Sequence, residues 1–261
     1  MNAEPEQILS PADGPAFELE DGAPDAPLVL ICEHASARIP AALGDLGLLP
    51  EDRLSHAAWD PGARKVAAAL AEAFRAPLLA ARFSRLVYDL NRPPEAASAI
   101  PAKSERVAIP GNADLADAAR TARIDALYHP FHTEAERVLA ARGDTPLITI
   151  HSFTPVFDGA RRATELGFLH DADDRLAQAL LTASKVEGGF LSELNAPYSA
   201  ADGVTHTLER HGTRAGRSNA MIEIRNDLIA DEAGVRRVAE HLARALATVL
   251  AVTPERTRHD A

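Results

Sequence analysis

Four polar side chains lie at the ends of short apolar runs, where metal-assisted chemistry is plausible. His34 and His151 each come just after such a run, and Glu223 and Arg225 lie at the end of a third. In open α/β sheets, ligands bind at the carboxyl ends of the strands. We therefore expect these side chains to meet at one edge of a sheet, where two histidines can share a divalent metal ion.

A third metal ligand should be a carboxylate, because a catalytic zinc site commonly has three protein ligands and an open position for water. Asp60 is the candidate, since it precedes Pro61 at a predicted helix start and would cap that helix with one oxygen. A structural interpretation stays open at each position. Each histidine can be a hydrogen-bonded surface residue, Asp60 a helix cap only, and Glu223 an ion-pair partner of Arg225.

The elements that must position these residues alternate between short apolar runs and segments of helical periodicity. Predicted helices cover residues 61–74, 128–142 and 173–184, and a last one begins near 231. Predicted strands cover residues 17–20, 27–32, 77–81, 86–90, 146–150, 164–169, 186–191 and 220–225.

This alternation predicts an α/β fold: a single domain with a mixed, mostly parallel β-sheet flanked by helices on both faces. We assign residues 27–261 to this domain. Residues 1–26 are rich in proline, glycine and acidic residues, and we expect them to form a loose N-terminal arm.

The charge balance argues against two classes of partner. Asp and Glu number 38 against 27 Lys and Arg, which gives a formal net charge of -11. Such a surface repels phosphate backbones and anionic lipid, so we expect no nucleic-acid and no membrane partner.

The one cysteine, Cys32, excludes an intrachain disulfide. The N-terminus lacks the pattern of a signal peptide, so a cytoplasmic protein of unknown oligomeric state is expected.

Six sequence blocks, in order along most of the chain, resemble the N-formylglutamate amidohydrolase family. The family is similar to the zinc carboxypeptidases and aspartoacylases, which share a mixed sheet flanked by helices. The blocks are 31–40 (ICEHASARIP), 59–62 (WDPG), 84–92 (SRLVYDLNR), 151–155 (HSFTP), 195–199 (NAPYS) with 202–203 (DG), and 222–227 (IEIRND).

The resemblance implies a zinc site with His34 and His151 as ligands. Relatives with a His-x-x-Glu pair have the carboxylate three residues after the first histidine, where this chain has Ala37. The related zinc-dependent cell-wall amidases have a carboxylate at the start of the next helix, which makes Asp60 the expected third ligand. Glu33 competes with it, although strand alternation would point its side chain away from that of His34.

The resemblance also implies catalytic roles for two residues. Glu223 would be the general base, taking a proton from water and delivering it to the leaving amine. Arg85 would stabilise the developing oxyanion.

A substrate carboxylate is expected to bind the adjacent Asn91 and Arg92, because the relatives use such a pair and a guanidinium matches a carboxylate with two hydrogen bonds. The alternative is a structural pair of Arg92 with Asp89. Arg225 is the candidate for a second carboxylate, or else forms an ion pair with Glu223 or Asp227. Tyr198 would contact substrate or pack in its loop.

The implied substrate is a small anionic N-acyl amino acid, N-formyl-L-glutamate above all, cleaved to glutamate and formate. Two alternatives stay open: a zinc hydrolase of another N-acyl amino acid or of a cell-wall amide, and a non-catalytic anion-binding module on the same fold. The remaining histidines give weaker signals. We expect capping or packing for His129 and His132, and a flap for the stretch with His206 and His211.

Overall fold

The structure is a computed structural model that describes residues 7–251. Its strands are β1 (Phe17–Glu20), β2 (Val29–Cys32), β3 (Leu78–Ala81), β4 (Lys103–Ser104), β5 (Val107–Ala108), β6 (Leu147–Phe153), β7 (Val156–Phe157), β8 (Ala160–Arg161), β9 (Leu166–Leu169), β10 (Ser192–Leu194) and β11 (Asn219–Arg225). Its α-helices are α1 (Ala63–Phe74), α2 (Asp117–Arg123), α3 (His129–Ala140), α4 (Arg175–Glu187), α5 (His206–His211) and α6 (Glu232–Ala251).

The central sheet has seven strands in the order β1-β3-β2-β6-β11-β9-β10. The four pairs β3/β2, β2/β6, β6/β11 and β9/β10 are parallel, whereas β1/β3 and β11/β9 are antiparallel. The pairs β4/β5 and β7/β8 form two small hairpins outside the sheet. The predicted mixed, mostly parallel sheet is confirmed.

Helices cover both faces of the sheet, as predicted. Leu30 and Cys32 of β2 pack in a core with α1, α4 and α6. Val29 and Ile31 of the same strand pack on the opposite face, against α3 and the segment before it. Because successive side chains of a strand alternate between faces, a strand covered on both sides is apolar throughout. This is why the central strands are continuous apolar runs in the sequence.

Two predicted strands are wrong. Residues 86–90 are buried but follow a turn, in which Ser84 accepts a hydrogen bond from the Leu86 amide. Residues 86–90 are mostly apolar because they are buried on two sides, although they do not form a strand. Val186 belongs to α4, and strand β10 begins only at Ser192. The prediction also missed α2 and the π-helical turn Ile124–Tyr128 that joins it to α3.

The N-terminal segment packs on the domain from residue 7 onwards and is not a loose arm. Strand β1 is present where predicted and pairs with β3 at the sheet edge. Ile8 is buried, and Arg38 donates a hydrogen bond to the carboxylate of Asp13. Residues 1–6 of the predicted arm and residues 252–261 of the predicted domain lie outside the described residues. Within residues 7–251, no helix is long and apolar enough to cross a membrane.

The sheet brings the candidate residues together at the carboxyl ends of three neighbouring parallel strands. His34 follows β2, and His151 lies near the end of β6, which continues to Phe153. Glu223 lies on β11 directly opposite His151 in the register. The predicted convergence of these strand ends is therefore present in the fold.

Candidate active site and metal centre

The two histidines face each other in the interior of the protein. Their Nδ1 atoms are 3.2 Å apart, and both residues are almost fully buried. His34 and His151 are therefore not hydrogen-bonded surface residues. Two imidazole nitrogens this close can bind one ion together.

Asp60 lies against both imidazoles. Its Oδ2 is 3.0 Å from Nδ1 of His151 and 3.3 Å from Nδ1 of His34. The expectation that Asp60 caps α1 is wrong, because Gly62 is the N-cap and the Asp60 carboxylate accepts its backbone hydrogen bond from Ser152 instead. The backbone holds Asp60 in place, since its amide donates to the His34 carbonyl.

A second carboxylate holds the far nitrogen of each imidazole. Nε2 of His34 is 2.8 Å from Oδ1 of Asp89, and Nε2 of His151 is 3.1 Å from Oε2 of Glu33. The His34–Asp89 contact has hydrogen-bond geometry, whereas His151 and Glu33 are at ion-pair distance only. A carboxylate beside Nε2 leaves Nδ1 as the nitrogen that faces Asp60. Glu33, the competitor for third ligand, therefore lies on the outer side of His151, away from Asp60.

These three carboxylates are held in the ionised state. Burial alone would raise the pKa of Glu33, but His151 holds it below the ordinary value. Burial also opposes ionisation of Asp60 and Asp89, yet His34 keeps the pKa of both well below the usual range. Ionised carboxylates in the interior require compensating positive charge.

The donor set fits a divalent cation. The ligand atoms of the cluster lie within 4.8 Å of one another. The buried Oδ1 of Asp60 has no hydrogen-bond partner, which leaves a lone pair for a metal. Burial opposes a charge on His151, yet Glu33 and Asp60 raise its pKa well above the ordinary value. The carboxylates therefore carry more negative charge than Arg85, 3.0 Å from Asp89 and 3.6 Å from Asp60, can balance. One divalent cation would balance this excess of negative charge.

Glu223 is buried beside the cluster. Its Oε2 has no hydrogen-bond partner in the structure. Burial raises the pKa of Glu223 to about 7. The alternative of a structural ion pair with Arg225 is wrong, since Arg225 pairs with two other acids.

A cavity of about 200 Å³ opens onto the cluster. Its walls bring together most of the predicted site residues, and its size suits a small molecule. It is lined by His34, His56, Asp60, Arg85, Asn91, Arg92, His151, Tyr198 and Glu223, with Ala57, Ser104, Glu105, Ser152, Phe157 and Val204.

Arg85 and Arg92 differ in how far their charges are already paired. The partly exposed Arg85 side chain bonds Asp89 and lies near Asp60. The Arg92 guanidinium donates to the Asn91 carbonyl at 2.9 Å, and within residues 7–251 it has no carboxylate within 4 Å, so the alternative ion pair with Asp89 does not form. Arg92 is thus available to an anion in the cavity.

The Asn91 side chain holds the segment that leads into α5. Its amide nitrogen donates to the Val204 carbonyl, and its amide oxygen accepts from the Thr207 backbone at 3.0 Å. Asn91 lines the cavity, but both polar atoms of its amide are engaged. This geometry supports a role in shaping the cavity wall next to Arg92.

Gly167 allows the Tyr198 loop to lie against the sheet. A Cβ at this position would be 1.9 Å from the Ala196 carbonyl oxygen and 3.2 Å from Cβ of Glu223. Only glycine permits such a close approach. The loop therefore brings Tyr198 to the cavity beside Glu223, a constraint that the sequence analysis missed although a glycine within a strand was its signal.

The structure does not bring Arg225 into the cavity. Its guanidinium pairs with Asp227 at 2.8 Å and with Glu165 at 3.3 Å, and it also donates to the Ala163 carbonyl. The predicted binding of a second carboxylate by Arg225 is therefore not supported. The alternative pair with Asp227 is present.

Three of the other histidines, His132, His206 and His211, lie in a separate network of hydrogen bonds. His132 donates or accepts a 2.7 Å hydrogen bond with His211 and contacts the Leu90 carbonyl, and His206 bonds the hydroxyl of Tyr128. These residues pack α3 against α5, so the predicted packing role of His132 is confirmed. His129 is exposed beside Asp125.

Two carboxylates of the site were missed. Asp89 was considered only as a partner of Arg92, and Glu33 only as a direct ligand. The signal for Asp89 was its place two residues before Asn91 in a block already singled out. The signal for Glu33 was its position directly after β2 and before His34. Because β2 pairs with β6, a residue that follows β2 can contact His151 of β6.

The family model for N-formylglutamate amidohydrolase matches residues 26–230. Among solved structures, a gene product from Agrobacterium tumefaciens is 48% identical, with a TM-score of 0.92 over 95% of this chain and 100% of that one. An N-formylglutamate amidohydrolase from Ralstonia eutropha JMP134 is 19% identical, with a TM-score of 0.68 over 90% of this chain and 97% of that one, and so shares the fold. No curated protein matches this chain significantly.

The family model thus spans every residue of the histidine–carboxylate cluster, together with Glu223 and Arg92. The chain belongs to the N-formylglutamate amidohydrolase family.

Proposed function

We propose that this protein is a metal-dependent amidohydrolase that cleaves the acyl–nitrogen bond of a small N-acyl amino acid, N-formyl-L-glutamate first among them. The observation that carries the proposal is a buried three-ligand cluster that shares one small cavity with an unbonded carboxyl oxygen of Glu223 and with Arg92. Family membership supports the reaction class.

Nδ1 of His34, Nδ1 of His151 and the Asp60 carboxylate would hold the metal ion. Two histidines and one carboxylate are a common set in catalytic zinc sites, so zinc is the ion proposed. The bound ion would polarise the acyl oxygen and lower the pKa of water.

Glu223 is the proposed general base and acid. Its free Oε2 takes a proton from the attacking water and then delivers it to the leaving nitrogen. Arg85, on the cavity wall, donates hydrogen bonds to the oxygen that becomes negative in the transition state. Asp89 keeps the Arg85 guanidinium in position with a 3.0 Å hydrogen bond.

Arg92 is the proposed ligand of a substrate carboxylate, because its charge has no carboxylate partner within 4 Å among residues 7–251. Asn91 acts by holding the wall at Val204 and Thr207. Tyr198 contacts the substrate from its loop, which packs closely against Gly167. A cytoplasmic location remains a prediction.

A substrate panel tests the proposed reaction. We expect zinc-loaded protein to release amine from N-formyl-L-glutamate with a higher kcat/KM than from N-acetyl-L-glutamate, other N-formyl amino acids or cell-wall amides. Equal kcat/KM values across N-acyl amino acids would contradict the assignment of N-formyl-L-glutamate as the preferred substrate. A preference for cell-wall amides would contradict the proposed substrate class. Zinc-loaded protein that hydrolyses none of them would be a binding module, contrary to the proposal.

His151→Ala should remove the metal. We expect the wild-type protein, purified without chelator and dialysed, to retain one equivalent of zinc by elemental analysis. The variant should retain less than about one tenth of it, because loss of one of three ligands weakens a zinc site strongly. The control His129→Ala removes an exposed histidine outside the cluster and should keep the zinc. Full zinc content in His151→Ala would contradict the assignment.

Glu223→Gln should separate metal binding from catalysis. We expect the variant to retain its zinc and to lose about 10²- to 10⁴-fold in kcat for N-formyl-L-glutamate, as is typical when a general base is removed. Glu240→Gln, at an exposed position of α6, is the matched control and should behave as wild type. Near-normal kcat in Glu223→Gln would assign the base to another residue.

A further inference from the structure

Arg162 lies beside the cavity on a shelf of aromatic rings. It follows the hairpin of β7 and β8, and its guanidinium carbon is 4.5 Å from the ring centre of Phe157 and 4.8 Å from that of Tyr198. A third ring, that of Phe153, is 5.6 Å away. Phe157 and Tyr198 both line the cavity that contains Glu223. The guanidinium thus lies next to two residues of the cavity wall.

The charge of Arg162 is not paired with an acid. Across residues 7–251, no carboxylate lies within 4 Å of it, and its guanidinium makes a long 3.4 Å contact with the Thr154 carbonyl. The two other arginines close to this end of the sheet differ in this respect. Arg85 pairs with Asp89, and Arg225 pairs with Asp227 and Glu165. Arg162 therefore resembles the cavity residue Arg92, which also has no acidic partner within 4 Å among residues 7–251.

Resting on the proposed function, we propose that Arg162 determines specificity by binding the side-chain carboxylate of a dicarboxylic N-acyl amino acid, while Arg92 binds the α-carboxylate. Arg162 thereby takes the role that the sequence analysis assigned to Arg225. The substrate class is then N-acyl amino acids with an acidic side chain, in preference to their neutral isosteres.

The aromatic shelf explains how a half-exposed arginine can discriminate. Contact with the rings of Phe157 and Tyr198 restrains the planar guanidinium before substrate binds, so less conformational entropy is lost on binding. A carboxylate accepts two charge-assisted hydrogen bonds from such a group, and a neutral amide cannot replace them. Glu105, in the hairpin of β4 and β5, also lines the cavity. Its side chain is exposed, so water weakens its repulsion of a substrate carboxylate.

The test compares N-formyl-L-glutamate with N-formyl-L-glutamine, which differ only in the charge of the side chain. We expect the wild-type zinc enzyme to prefer the glutamate compound. Arg162→Gln should raise KM for N-formyl-L-glutamate about 10- to 150-fold, the range for a lost hydrogen bond to a charged group. KM and kcat for N-formyl-L-glutamine should stay within about twofold of wild type.

Two further variants separate charge from structure. Arg161→Gln removes the neighbouring exposed arginine of the same hairpin and should leave both substrates unchanged. Arg162→Lys retains the charge without the planar fork, and should recover part of the preference for N-formyl-L-glutamate. This recovery is expected even if Arg162→Gln lowers the melting temperature.

The possible failures are distinguishable. A preference for N-formyl-L-glutamate that survives in Arg162→Gln, or an equal loss on both substrates in Arg162→Gln and Arg162→Lys, would overturn the role of Arg162 and leave the proposed function intact. Wild-type protein that hydrolyses neither compound, nor any other N-acyl amino acid, would overturn the proposed function and this role with it.

Discussion

The site depends on the orientation of two buried imidazoles. Each has its Nε2 held by a carboxylate, Asp89 for His34 and Glu33 for His151, so that both Nδ1 atoms face Asp60. This orientation places several charged side chains in the interior. The folded state tolerates them only when they are paired or bind a cation. The outer carboxylates lie at the Nε2 atoms, so both Nδ1 atoms face Asp60, which is the arrangement that the proposed metal site requires.

The sheet provides this geometry through the parallel pairing of β2, β6 and β11. The register that aligns His151 with Glu223 also places the proposed base next to the proposed metal site. On the far side of β11, Gly167 leaves room for the loop that contains Tyr198. The cavity is thus formed by the ends of paired strands and by a loop that packs directly against them.

Much of this could be predicted from the sequence because it depends on short-range patterns. Apolar runs that end in polar residues indicated the strand ends, and the convergence of His34 and His151 follows from the parallel pairing of β2 with β6. Asp60 joins them because its amide donates to the His34 carbonyl just before α1. Contacts between distant segments were harder to predict. An arginine at position 225 suits either substrate binding or a structural ion pair. Only the fold shows that Glu165 and Asp227 already pair with it.

The same limit explains the other errors. Buried loops and strands have similar composition, so residues 86–90 were assigned to a strand. Asp89 and Glu33 contact histidines far from them in the chain, His34 and His151, and no local pattern marks such partners. An alternating apolar pattern reports which face of an element is buried, whereas pairing of charges depends on which elements meet.

The most direct test of the account is a crystal structure of the zinc-loaded protein with anomalous data collected on both sides of the zinc edge. The account predicts one strong anomalous peak within about 2.0–2.2 Å of Nδ1 of His34, Nδ1 of His151 and an Asp60 carboxylate oxygen. A peak on the Nε2 side of either histidine, or one that Asp60 does not approach, would contradict it.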